Sequence, residues 1–159
     1  MPRHSYKRLP VKNDPVYSSY EVAKLINYII RDGKKSPARK QVYNALESLK
    51  TQSEDGDAIR ILQKALNNVS PNVEVRPRRL GGASYLVPCE IRKDRKLSLA
   101  LKWIIQSARA RSNKDFHEFS QKLAAEIKDA SENLGQAINK KVQTEKAAEA
   151  NKAFSHLKW

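Results

Sequence analysis

Between residues 73 and 92 the apolar side chains recur at every second position, whereas elsewhere in the chain they recur at steps of three and four. Val73 and Val75 alternate with Glu74 and Arg76; beyond Gly81–Gly82, the residues Tyr85, Val87, Cys89 and Ile91 alternate with Leu86, Pro88 and Glu90. Such alternation sends successive side chains to opposite faces of an extended strand. The glycine pair can take the positive φ that a two-residue hairpin turn needs. Each run also carries a proline, Pro77 and Pro88. Proline has no N–H to give to a ladder, so it is confined to edges and bulges. In a lone pair of strands both are edges. The segment predicts a two-stranded arm rather than part of a larger sheet.

The remainder reads as helix. From Ser19 a stripe of Val22, Leu25, Ile26, Ile29 and Ile30 runs to Gly33, a residue suited to closing a last turn. Ser36 and Pro37 predict the cap and first position of a second helix, with Val42, Ala45, Leu46 and Leu49 inside. A third starts near Asp55 to Asp57, buries Ala58, Leu62, Ala65, Leu66 and Val69, and stops at Pro71. Asp94 is the expected cap of a fourth, with Leu97, Leu101, Ile104, Ile105 and Ala108 as its stripe and Trp103 beside it. Asn113 or Asp115 opens a fifth carrying Phe116, Phe119, Leu123 and Ile127. A sixth begins around Gly135 with a thin face (Ala137, Ala147, Ala148) flanked by Lys140 and Lys141, and predicts partial docking with an end held by a partner. The expected fold is mainly α: a six-helix body with a protruding two-stranded β-hairpin arm. Residues 1–17, with Pro2, Pro10 and Pro15 among Arg3, Lys7, Arg8 and Lys12, predict a basic arm ordered only against a partner; residues 18–159 form the single helical domain.

Charge narrows what such a fold is for. Thirty-one Lys and Arg face 17 Asp and Glu, a net charge of +14. Solubility alone asks for an imbalance of about 2–8 in a small domain. A field this strong gathers polyanions. No apolar run approaches the length of a membrane span, and the basic start lacks an apolar secretory stretch. The single cysteine, Cys89, has no partner for a disulfide and no metal-site spacing, and His4, His117 and His156 are scattered. A reducing cytosol is the expected compartment, with no membrane partner. There is no phosphate-binding loop of the nucleotide enzymes, no nucleophile elbow and no paired His; neither enzyme activity nor a cofactor or metal is expected.

The bases are segregated. Acids gather in residues 47–57 and 118–132. Bases gather in the first residues, at Lys34 and Lys35, through residues 76–96, and at Lys102, Arg109, Arg111 and Lys114. Arg76, Arg78 and Arg79 approach a hairpin tip with few apolar neighbours, where guanidinium groups can clamp phosphates. Tyr85 offers a stacking surface for a base, or a packed ring. Lys34 and Lys35 follow a helix C-terminus, where cations also complement the helix dipole. Arg95, Lys102 and Arg109 lie two turns apart each and share one face. Structured RNA is the partner this pattern favours.

Three stretches, taken together, resemble the bacterial form of ribosomal protein seven of the small subunit: Leu25–Ile26 with Gly33–Lys34–Lys35 after it, the whole of residues 73–92 with its Arg-Pro-Arg-Arg-Leu-Gly-Gly core, and the ending from Ala148 through Asn151, Phe154 and His156 to Trp159. The resemblance runs from about Asp14 to the end. It implies a primary 16S rRNA-binding protein that nucleates assembly of the small-subunit head. It also implies a hairpin and nearby helices lining the exit site for tRNA, and a C-terminal region near small-subunit protein eleven and other head proteins. Carried onto this chain, the implied rRNA contacts are Arg3, Lys34, Lys35, Arg76, Arg78, Arg79, Arg92, Arg95, Lys102, Arg109 and Arg111. The implied neighbours of exit-site tRNA are Leu80, Gly81, Gly82, Ala83 and Ser84. Gln41, Pro77 and Val142 depart from the family's usual apolar, hydroxyl and basic residues. An architectural DNA-binding protein and a basic accessory subunit are the other classes that the composition admits.

Overall fold

The computed structural model describes residues 11–52 and 57–157. Six α-helices and one hairpin follow in order: α1 (Tyr20–Ile29), α2 (Lys35–Gln52), α3 (Ala58–Val69), β1 (Val73–Leu80), β2 (Ala83–Glu90), α4 (Lys93–Ala110), α5 (Phe119–Ser131) and α6 (Gln136–Ala150), then a 3-10 turn, Lys152–Leu157. The expected stripes become the core. Leu25, Leu46, Leu62, Leu101, Ile104, Leu123 and Ile127 are fully buried in one cluster spanning α1 to α5. Helix α5 is central and packs on α2, α3 and α4, while α6 crosses α4 and β1.

Helix ends explain where the sequence reading shifts. Ser19 caps α1 by accepting from Val22 N, and Asp57 caps α3 by accepting from Ile59 N and Arg60 N, both as expected. The first helix ends at Ile29, before Gly33, because Asp32 and Gly33 take φ of +53° and +73° to turn the chain. Helix α2 starts at Lys35, so Ser36 lies inside its first turn and does not cap it. Arg92, not Asp94, is the N-cap of α4. The fifth helix opens at Phe119, later than Asn113 or Asp115, because Glu118 and Gln121 form a reciprocal capping box there. Phe116 is left in the preceding loop.

The beginning of the described chain is tied down. Asp14 accepts from Val16 N, Tyr17 N and the Tyr43 hydroxyl, and the Tyr17 ring stands edge-on to Tyr43 at 5.5 Å. The basic arm expected over residues 1–17 to order only against a partner is thus already docked on α2 at its inner end. Residues 1–10, Arg3 among them, lie outside the described residues.

The hairpin pairs antiparallel in one register, Val73 with Glu90 through Leu80 with Ala83. Gly81 and Gly82, at φ +54° and +88°, make the tight turn. The inward face of β1 is not the valines. Directly paired residues share a face, and the register sets Glu74 opposite Cys89 and Arg76 opposite Val87. Glu74 therefore turns inward with Val87, Cys89 and Ile91.

Nor does the arm stand alone. Helix α6 packs along β1, and the 3-10 turn packs on β2 with Phe154 5.5 Å from the Tyr85 ring. The thin face of α6 docks through Ala137 and Ala148, and the end of the helix meets this chain's own hairpin; the last two residues of the ending expected to be held by a partner lie outside the described residues.

Candidate nucleic-acid interface

At the hairpin root a buried carboxylate organises two arginines. Glu74 receives Arg76 at 2.6 Å and Arg95 at 2.7 Å, with its own side chain 8% exposed and the arginines about half exposed. Burial alone would raise the Glu74 carboxyl; the hydrogen bonds and charges of Arg95 and then Arg76 outweigh it and hold it below its ordinary value. Each guanidinium keeps N–H groups on the solvent side. A carboxylate inside and two arginines outside make a fixed, outward-facing pair of cations.

Toward the tip, Arg79 is exposed and Arg78 half-buried, and Gly81, Gly82, Ala83 and Ser84 are all exposed. Tyr85 is half-buried and packed against Phe154, the packed-ring alternative of the two that the sequence offers.

Along α4 the row expected from the sequence is present. Arg95 sits in the first turn, Lys102 stands over the Tyr28 ring at 5.9 Å, and Arg109 lies in the last turn, donating to Ile29 O at 3.3 Å. Fourteen residues at 1.5 Å rise separate the ends of this row by roughly 21 Å. Arg92, the exposed N-cap residue, extends it toward the hairpin.

At the far end of the row the α1–α2 turn sends its neighbouring lysines to different places. Lys34 lines a cleft with Arg31 and Arg109, while Lys35 lines a second one with Lys12 and Arg39. Burial first, and then the charge of Arg31, lower the proton affinity of Arg109. Among the described residues neither Arg31 nor Arg109 is paired with a carboxylate. The Nε of Arg39 is buried with no hydrogen-bond partner among the described residues.

Arg111 belongs to a different environment. It reaches Glu126 at 2.6 Å and also Asp129, with only 20% of its side chain exposed. Burial works against its charge, but the hydrogen bonds it donates to Asp129 and Glu126, with the charges of those carboxylates, dominate and raise its proton affinity. Glu126, fully buried, also accepts from Ala137 N in the first turn of α6 at 3.1 Å. The acidic run of α5 is therefore partly an internal clamp joining α4, α5 and α6. Sequence reasoning missed Arg31, Arg39 and Gln41. Arg31 carried a legible signal, a third base beside Lys34 and Lys35; the other two are brought to the clefts by folding.

Among the described residues no three potential metal ligands converge, and no helix is long and apolar enough to cross a membrane. Residues 1–152 match the family described as ribosomal protein S7p/S5e. The small ribosomal subunit protein uS7 of Thermoanaerobacter pseudethanolicus is 49% identical over the full length of both chains. That of Caldanaerobacter subterraneus subsp. tengcongensis is 51% identical over 92% of this chain and 91% of its own, and that of Stenotrophomonas maltophilia 49% identical over the same shares. The chain belongs to the ribosomal protein S7p/S5e family, as a structural and non-enzymatic constituent of the small ribosomal subunit.

Proposed function

We propose that this constituent binds 16S rRNA directly and nucleates assembly of the small-subunit head. Its hairpin tip, Leu80 to Ser84, lies beside exit-site tRNA, and its C-terminal region lies near small-subunit protein eleven. The observation that carries the RNA reading is the continuity of the α4 row: Arg95, Lys102 and Arg109 join the Glu74-anchored pair at the hairpin root to the cations of the α1–α2 turn. A row of roughly 21 Å on one rigid helix engages several phosphates at once. The hairpin and the α1–α2 turn then hold separate RNA segments at fixed angles. Arg76, Arg78 and Arg79 act on the hairpin side, Lys34 and Lys35 on the turn, Arg92 between them, and Arg3 extends the set from the N-terminal residues. Arg111 contributes least, because carboxylates already satisfy it.

Phosphate contacts release counterions, so affinity falls with salt. With roughly six contacts, binding of a 16S fragment of the head should weaken on the order of 10³-fold between 50 and 200 mM salt. Filter binding across that range, with duplex DNA as competitor, tests the proposal. A flat salt response, or competition by DNA equal to that by the rRNA fragment, refutes it.

A further inference from the structure

We propose that the cleft between the end of α1, the start of α2 and the start of α5 takes one unstacked RNA nucleotide, with its base against Phe119 and Pro37 and its phosphate on Arg31 and Arg109. The proposal rests on the RNA-binding reading and adds to it a defined subsite.

The cleft holds about 340 Å³, and no acidic residue lines it. Its inner wall is apolar: Ile29 and Ala38 are 7% and 6% exposed, and the half-buried Phe119 ring forms one side. Its rim is basic, with Arg31, Lys34 and Arg109. An apolar slot with a cationic lip matches a flat, hydrophobic body joined to an anion. A nucleotide has that division between base and phosphate, whereas a bare phosphate would leave the slot unfilled and an apolar side chain would leave the cations unanswered. In single-stranded segments of RNA, bases splayed from the helix are held in this manner, stacked on aromatic rings and guanidinium planes.

Two further features fit a nucleotide. Arg109 is anchored through one nitrogen to Ile29 O, which fixes the guanidinium while leaving other donors for a phosphate. Gln41, which also lines the cleft, accepts from Ser120 N at 3.0 Å through its amide oxygen. That bond settles which way the amide faces, so its NH2 remains as the hydrogen-bond donor. A donor at this position favours a base edge presenting a carbonyl or ring-nitrogen acceptor.

The test uses the full chain and a 16S fragment of the head. A photoreactive p-benzoylphenylalanine is placed at Pro37, or at Lys34 should the first variant fold poorly by circular dichroism. Crosslinks are read as reverse-transcription stops. One stop at an unpaired nucleotide is expected. An abasic residue at that nucleotide should then weaken binding by wild-type protein roughly fivefold to 150-fold, the range for one stacked base. Against Phe119→Leu, the abasic change should cost distinctly less. Stops spread along a duplex, no crosslink from a bound complex, or an abasic fragment bound as tightly as the intact one would each overturn the subsite while leaving general RNA binding in place. Failure of the intact fragment to bind wild-type protein at low salt would remove the broader reading as well.

Discussion

Replacing Arg111 by alanine separates a structural arginine from an RNA-binding one. The side chain is four-fifths buried and carries hydrogen bonds to two carboxylates, of which Glu126 is fully enclosed and Asp129 39% exposed. After Arg111→Ala, Asp129 can turn to water, but Glu126 cannot. It keeps the Ala137 N–H and loses the one cation paired with it among the described residues. Removing one partner of a buried ion pair costs about 3–5 kcal/mol; the partial exposure of Arg111 places the expected loss near the lower end, about 3 kcal/mol. For a domain of this size each kcal/mol moves the melting temperature by about 2–4 °C, so a fall of about 6–12 °C is expected. Urea unfolding followed by circular dichroism measures the loss, and filter binding at a temperature where the variant is folded measures RNA affinity. The reasoning is refuted if the variant unfolds within about 1 kcal/mol of wild type while its affinity for 16S rRNA drops tenfold. Arg111 would then be a contact residue and Glu126 would be stabilised by something other than its charge partner.

Three other outcomes are expected. Arg79→Ala, at an exposed position near the tip, should weaken RNA binding while leaving the melting temperature within a few degrees, since surface changes of this kind cost within about 0.5 kcal/mol; a large loss of stability would make this arginine structural. Glu74 has a depressed carboxyl in the folded state, so its stabilising effect is full above its unfolded value, taken as 4.5, and is lost as pH falls through the lower folded value. The stability advantage of wild type over Glu74→Gln, measured by urea unfolding from pH 7 to pH 3, should therefore hold at neutral pH and shrink in acid; an advantage that grows on acidification contradicts it. Phe154→Ala removes the ring against Tyr85 and should loosen the hairpin by about 0.5–1.5 kcal/mol beyond the area lost, read as faster hydrogen exchange in β2 with α3 and α5 unchanged.

The helical body and hairpin were legible because periodicity is a local property. The stripes through Leu62 and Leu101 became buried faces, and the two glycines made the expected turn. Strand register was not local. Val73 and Val75 alternate with Glu74 and Arg76, yet pairing with Cys89 turned Glu74 inward, and Arg95 from α4 together with Arg76 of the same strand makes that tolerable. The same limit affects the interface. Sequence counts bases but does not show which already have acids beside them, so Arg111 read like Arg109. One is bound to Glu126 and Asp129, and the other donates to a backbone carbonyl beside another cation and is paired with no carboxylate among the described residues. Gln41, a departure from the family's usual apolar residue, also acquired its role only in three dimensions, by capping the Ser120 N–H at the head of α5.

The clasp of Phe154 on Tyr85 also orders events during synthesis. The hairpin emerges before the segment that braces β2, because Lys152–Leu157 follows it in the chain. Since a two-stranded ribbon by itself is only marginally stable in water, the finger is expected to stay loosely formed on the nascent chain until that 3-10 turn has been made. A chain cut short before that turn would therefore keep its helical body but carry an unsteady finger.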